Sequence, residues 1–574
     1  MDNSSASHSG PDPQSDSVQA FFKNRSALIS QENEQRSDHE FRQSLSPIAR
    51  QADAIVAKIR LHEHETIWSS KTSTSSSHDP ALESEELYPG MIFNSAKNHM
   101  ESTKLWKIVQ RMPKGAILHC HLGAMVDLEW VFNQAIDTPG MFISAPSALV
   151  DEKVSLTWVD EKVRDKGTLL IDYSKKLNVG GKSIWSHDYE PRSRIPLKEA
   201  SDAFPGGKKG FVAWLIDRCT MTQTDAVRNH LGVDAIWRKM QAAFVLLTPI
   251  IFYEPITRAF LKKFWTTCNE DGVRWVEIRG MTRSFRLEGQ EELTENRLAL
   301  AGIMNEEIEK FKASPEGKGF WGCRLIWDCL RSFPTENIVI DMKICIQAKK
   351  LYPKLISGYD LVGPEDFGRT LHSLTPELVW FREQCIKEGL NIPFFFHAGE
   401  CIGHGDSTDQ NLCDAILFGT RRIGHAFSLY KHPLLIDIVK QKQIMIESCP
   451  ISNEVLRYTS SIKTHPLPAL LARGVKAALS NDDPALMGHG TSGLSHDFWQ
   501  ALQGWENLGL AGLGSLTQNS VRWSAFEDQT NEEWNGDIAT ALTGSSLRAK
   551  YVQKWNAEWE QFCEWIVAEF SEAI

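Results

Sequence analysis

The chain has 574 residues, 42% hydrophobic and 24% charged, with a formal net charge of −11. That length allows several domains or one large barrel with insertions. The acidic balance argues against a general nucleic-acid binder, which needs cationic surface to release counterions. The start of the chain lacks the apolar core of a signal peptide, and no uninterrupted apolar run is long enough to span a membrane. Eleven cysteines, none in a C-x-x-C pair, read as reduced thiols. These features lead us to expect a cytoplasmic protein with no membrane partner.

Residues 1–45 are polar and predict a disordered tail. A helical extension is expected over 46–110. Ser46-Pro47 reads as an N-cap with proline at the first helical position, followed by Ile48, Ala52, Ile55, Val56 and Ile59 at helical spacing. This apolar face suits either the main domain or a second subunit, so a homodimer through the N-terminal helices is one expectation. A serine-rich linker at 69–77 and a second helix over about 85–109 follow.

The remainder, 111–574, predicts one barrel. Short apolar runs fall at 116–118, 273–278, 322–327, 355–361, 392–396, 421–424, 443–446 and 475–479. Most are separated by segments long enough for a helix, such as 376–388 and 407–417. Eight strands alternating with helices is the pattern of a (β/α)8 TIM barrel, an α/β fold. The stretch at about 130–230 reads as an insertion after strand one. Beyond Gly493 the chain is helical, and Trp555, Trp559, Phe562, Ile566 and Phe570 should cap the barrel from a C-terminal helix.

Polar residues gather where these strands end. His119 and His121 follow the first strand on one face. His397 and Glu400 follow the fifth, His425 the sixth, and Asp482 and Asp483 the eighth. In this barrel all such ends open onto the catalytic face. His119, His121, His397 and Asp482 offer three nitrogens and one oxygen, a fair zinc site with room for a water. Zinc can bring the pKa of such a water to about 7. Glu400 and His425 are the remaining titratable groups for proton transfer. The reading is a metal-dependent hydrolase whose substrate the spacing does not name.

The stretches MPKGAILHCHL, GYDLVGPED, PFFFHAGE, RRIGHAF, ESCPISN and SNDDPALMG resemble, in order, the motifs of the adenosine deaminase family. GYDLVG, HPLPALLARG and GLSHDF look closest to its adenosine deaminase-related growth factor branch. The resemblance covers about residues 85–570. It implies hydrolytic deamination of adenosine, and of 2′-deoxyadenosine, to the inosine product and ammonia, with one Zn2+ per chain on His119, His121, His397 and Asp482. It further implies that Glu400 protonates purine N1 and that His425 orients the attacking oxygen. Asp483 would bond N7, and the backbone of Gly363 would meet N3.

This chain departs from the family in two ways. His121 is followed by Leu122-Gly123-Ala124 where many members carry an aspartate for the ribose end, which leaves Asp127 as a substitute. It also lacks the signal peptide and the disulfide of the secreted growth-factor members. The alternatives are a deaminase of AMP, of an N6-substituted nucleotide or of adenine, and an idle binding or signalling protein. For a phosphate the insertion offers Arg192, Arg194, Lys198, Lys208 and Lys209. Base-flipping deaminases are excluded, because they need P-C-x-x-C.

Overall fold

The structure is a computed structural model that describes residues 12–69, 87–150, 169–177, 181–280, 285–293 and 297–571. Eight short parallel strands carry the fold: β1 (Gly115–Ile117), β2 (Val273–Arg279), β3 (Gly322–Leu330), β4 (Ile356–Val362), β5 (His397–Ala398), β6 (Arg422–His425), β7 (Met445–Ser448) and β8 (Ala477–Leu479). They pair in chain order as two four-stranded sheets, β1 to β4 and β5 to β8. A single parallel bridge, Tyr359 to Phe394, joins β4 to the run before β5. Another, Cys120 to Asp482, joins the ends of β1 and β8. Helices such as Thr335–Leu351 and Thr375–Lys387 connect consecutive strands.

The strand expected over 392–396 is shifted. Regular pairing covers only His397–Ala398, and Phe394 contributes an isolated bridge. Pro393 has no N–H to give a ladder, which favours an irregular entry to the strand. Leu118, Phe395, Ile326, Met445 and Ala478 fill the space between the sheets.

The N-terminal tail needs correction. Residues expected to be disordered form α1 (Asp16–Glu34) and α2 (His39–Ser44). For α2 the cause is packing that composition hides. Phe41 lies against Trp555 and Trp559, at 6.2 and 5.6 Å between ring centres. Arg42 donates to Asp38 at 2.7 Å. By contrast α1 buries no side chain and exposes Phe21, Phe22 and Leu28. Residues 1–11, and 70–86 with most of the serine-rich linker, lie outside the described residues.

Next comes α3 (Pro47–Thr66), capped by Ser46, whose hydroxyl accepts from the N–H of Ala49 at 3.1 Å. Its buried face is Ala49, Ala52, Ile55, Val56 and Ile59, and it packs on the helices Gly509–Arg522 and Leu547–Phe570 of its own chain. That face is therefore buried within the monomer. Full burial of each Val or Ile contributes roughly 1.5–3 kcal/mol. The helix expected over 85–109 is two, Phe93–Met100 and Lys104–Arg111, with Thr103 capping the second.

Between β1 and β2 the insertion places Met141–Ser144 between Leu170–Tyr173 and Ile195–Pro196 in an antiparallel sheet, followed by helices. Its Ile143, Ile171, Phe211 and Leu215 belong to the same apolar cluster as Ile117 and Val276 of the strands. All eleven cysteines are free thiols. Among the described residues no helix is long and apolar enough to cross a membrane.

Candidate metal and catalytic centre

The bridge between the ends of β1 and β8 builds half of the site. The N–H of His121 donates to the carbonyl of Asp482 at 3.1 Å, and the N–H of Asp482 donates to that of His119 at 3.3 Å. This reciprocal pair sets the three side chains next to each other. His119 Nε2 and His121 Nε2 lie 3.3 and 3.2 Å from Asp482 Oδ1. His397, at β5, brings its ring centre to 4.4 Å from that of His119. One ligand atom from each of His119, His121, His397 and Asp482 falls within 4.8 Å of all the others.

The protons behind these rings are fixed by carboxylates. His119 Nδ1 donates to Glu447 Oε2 at 2.8 Å, and His397 Nδ1 donates to Asp360 Oδ2 at 2.6 Å. Each ring therefore turns an unprotonated Nε2 forward. Arg279 donates to both Asp360 Oδ2, at 2.7 Å, and Glu447 Oε2, at 2.8 Å. Arg422 bonds the other oxygen of Glu447 and reaches Glu277 Oε2 at 2.8 Å. All five charged residues of this network are 0% exposed. Burial alone would raise the carboxyl groups of Glu447 and Asp360. Arg279 helps hold both below the carboxylate range, with Arg422 acting on Glu447 and His397 on Asp360. Burial lowers His397 to about 3, against the pull of Asp360.

These residues fit a divalent cation. His119 Nε2 and Asp482 Oδ1 are buried and have no hydrogen-bond partner among the described residues, although they face each other. With the Nδ1 proton given to Glu447, both are acceptors, an arrangement that a cation relieves. The charge agrees. With the histidines neutral, four buried carboxylates (Glu277, Asp360, Glu447 and Asp482) face two guanidiniums, Arg279 and Arg422, leaving two negative charges. A second group, His404, Asp409 and His432, is a poorer candidate. There the Asp409 carboxylate already accepts from the N–H of Gly405 at 2.7 Å and from His432 at 2.9 Å.

The other expected residues surround this set. Glu400 is 2% exposed, and its Oε1 lies 3.5 Å from His425 Nδ1. Burial, then the neighbouring carboxyls of Asp482, Glu365 and Asp483, raise its carboxyl well above the usual range, which favours the protonated form. Asp483 is raised in the same way, by burial and then by Asp482. Ser452 Oγ donates to Asp482 Oδ2 at 2.7 Å. Gly363 follows β4 at φ +95°, a conformation that suits glycine. Three non-glycine residues of the site share left-handed backbone: His425 at φ +61°, Ala426 at +46° and Asp482 at +59°.

Other residues singled out in the sequence are engaged elsewhere. Asp127 caps the helix Leu128–Asp137, accepting from the N–H of Trp130 at 3.1 Å. Arg194 pairs with Glu291 at 3.1 Å, and Lys208 with Asp137 at 2.9 Å. Sequence reasoning missed Glu277, Arg279, Asp360, Arg422 and Glu447. Their signal was present, as charged residues inside or closing apolar strand runs. A cleft of about 670 Å³, lined by Ile402, His404, Phe427 and Tyr458 among others, lies between the loops that follow Glu400 and His425.

A sequence profile described as adenosine deaminase matches residues 221–541, more than half of the chain. Adenosine deaminase 2-A of Danio rerio is 29% identical over 485 residues, covering 83% of this chain and 87% of that protein. Adenosine deaminase 2 of Homo sapiens is 28% identical, with 83% of each chain covered. An adenosine deaminase of Aedes albopictus is 30% identical, covering 79% of this chain and 78% of its own. The chain thus belongs to the adenosine deaminase family of hydrolases, within its growth-factor-related branch.

Proposed function

We propose that this protein hydrolyses adenosine, and 2′-deoxyadenosine, to the inosine product and ammonia. One zinc ion per chain would sit on His119, His121, His397 and Asp482. The carrying observation is the buried Glu400, whose carboxyl is raised toward its protonated form, beside a His3Asp set that could hold a cation. Zinc bound there supplies Lewis acidity, enough to bring the pKa of a water to about 7.

The rest is the work of the side chains. Adenine is aromatic, and its C6 resists addition until N1 is protonated. Glu400 holds the proton for N1. The water oxygen ends on C6 and the C6–amino bond breaks. One water hydrogen ends on N1, and the other joins the two amino hydrogens in ammonia, so Glu400 is regenerated. Asp483, kept neutral, donates to N7. Gly363 lets the purine edge approach its backbone at N3. The family relatives named adenosine deaminase support this substrate.

We also read the eight strands as one closed (β/α)8 barrel, supported by the single bridges at both junctions of the sheets. A homodimer would use α1, whose Phe21, Phe22 and Leu28 are exposed.

The test is ammonia release by zinc-loaded protein from adenosine, with AMP and adenine in parallel. Release from adenosine alone is expected. Release from AMP or adenine instead would move the activity to nucleotides or bases. No release from any of the three would overturn the reading.

A further inference from the structure

Behind His425, away from the ligand set, a line of hydrogen bonds begins at a donor whose direction cannot change. Leu467 opens the helix Leu467–Ala472, so its N–H has no acceptor within the helix. It donates to His465 Nδ1 at 3.1 Å. That nitrogen must hold a lone pair, which puts the ring proton of His465 on Nε2. His465 Nε2 lies 3.1 Å from Asn453 Oδ1. The amide oxygen therefore accepts, and the NH2 end of Asn453 is turned the other way. Asn453 Nδ2 lies 3.3 Å from His425 Nδ1. An amide nitrogen only donates, so His425 Nδ1 also holds a lone pair, and its ring proton sits on Nε2.

Reversing any member would set two donors or two acceptors against each other. The same mismatch rules out a doubly protonated ring at either histidine. His425, Asn453 and His465 are all buried, at 4, 1 and 6% exposure, so water does not compete for these bonds. The free end of the line is His425 Nε2, 3.9 Å from Asp482 Oδ2 and directed into the site.

We propose that His465 and Asn453 are positioning residues that lock His425 as the Nε2–H tautomer, so that it presents a hydrogen-bond donor to the reacting oxygen and not a base. The proposal rests on the deaminase reading. It deepens that reading by giving tasks to two residues outside the ligand and proton-transfer set. With its proton on Nε2, His425 steadies negative charge growing on the oxygen that attacks C6.

The experiment uses the full zinc-loaded chain and three substitutions. His465→Gln keeps a donor toward Asn453. His465→Leu removes it. Asn453→Asp keeps the shape but only accepts, so it calls for a proton on His425 Nδ1. Partners behind a metal site typically matter by about 10- to 100-fold. A fall in kcat of that size is expected for His465→Leu and Asn453→Asp, with KM, metal content and melting temperature little changed and with His465→Gln close to native. Native kcat in Asn453→Asp, or an equal fall in His465→Gln and His465→Leu, would overturn the proposal.

The tautomer is read directly from 15N-histidine-labelled native protein, where the two-bond proton–nitrogen pattern separates Nε2–H from Nδ1–H. His425→Asn identifies the signal. Nε2–H is expected, and Nδ1–H at native His425 overturns the assignment even if every other variant fails to fold. The spectrum also separates this proposal from the deaminase reading, because it needs no turnover.

Discussion

The interior beneath the ligand set and the seam between α3 and the C-terminal helices are equally buried, but they are held in opposite ways. Beneath the ligands, Glu277, Arg279, Asp360, Arg422 and Glu447 form a charged lattice with 0% exposure at each member. Each group fixes the direction of the next, down to the proton on His119 Nδ1. At the seam, Ala52, Ile55, Val56 and Ile59 meet apolar helices through contacts that do not depend on direction, beside a hydrogen bond in which Asp53 Oδ1 accepts from the N–H of Ala511 at 3.0 Å. The first kind of interior yields position at little net stability, and fails sharply when one partner goes. The second yields stability in proportion to area and fails by degrees.

The contrast can be broken or sharpened by experiment. Chelation should have the largest effect, since it removes the cation that balances two buried negative charges. Deamination should vanish, the melting temperature should fall, and both should return with zinc. Glu400→Gln should lower kcat by about 10²- to 10⁴-fold with metal content unchanged. The acid form of Glu400 is present below its raised pKa and lost as pH rises through it. Native activity should therefore decline on the alkaline side, and the residual rate of Glu400→Gln should lack that decline.

Arg279→Met removes the guanidinium shared by Asp360 and Glu447 and should cost about 3–5 kcal/mol in denaturant unfolding. Ile59→Val at the seam should cost only about 0.5–1.5 kcal/mol. Equal costs for these two would erase the contrast. Removing residues 1–34 should change monomer stability by no more than about 0.5 kcal/mol, because α1 buries no side chain. If a second copy covers α1, the same truncation should lower the sedimentation coefficient; an unchanged value would remove the homodimer proposal.

The candidate ligand set was legible because each member follows a short apolar run. A histidine or aspartate after a short apolar run stands out, and His119, His121, His397 and Asp482 converge as the strand order requires. The lattice below was not legible. Arg279 and Glu447 are 168 positions apart and meet only when the sheets assemble, so no window of sequence holds both. The tail failed for a related reason. Its composition is that of an unfolded segment, and the feature that orders α2 is one phenylalanine, Phe41, seated on tryptophans more than 500 residues further along. The seam, by contrast, could be read directly, since Ala52, Ile55, Val56 and Ile59 repeat at helical spacing.

The left-handed backbone at His425, Ala426 and Asp482 has a consequence for how such a protein could adapt to heat. Residues with a Cβ held in sparsely populated backbone regions cost of order 1–3 kcal/mol each. Glycine would relax the backbone at all three positions. At His425 and Asp482 it would also delete the imidazole or the carboxylate, so selection for thermal tolerance cannot touch them while the chemistry is needed. Ala426 carries no such chemistry. Adaptation to a hotter environment would find its freedom there, in the one strained residue of the three whose side chain takes no part in the reaction.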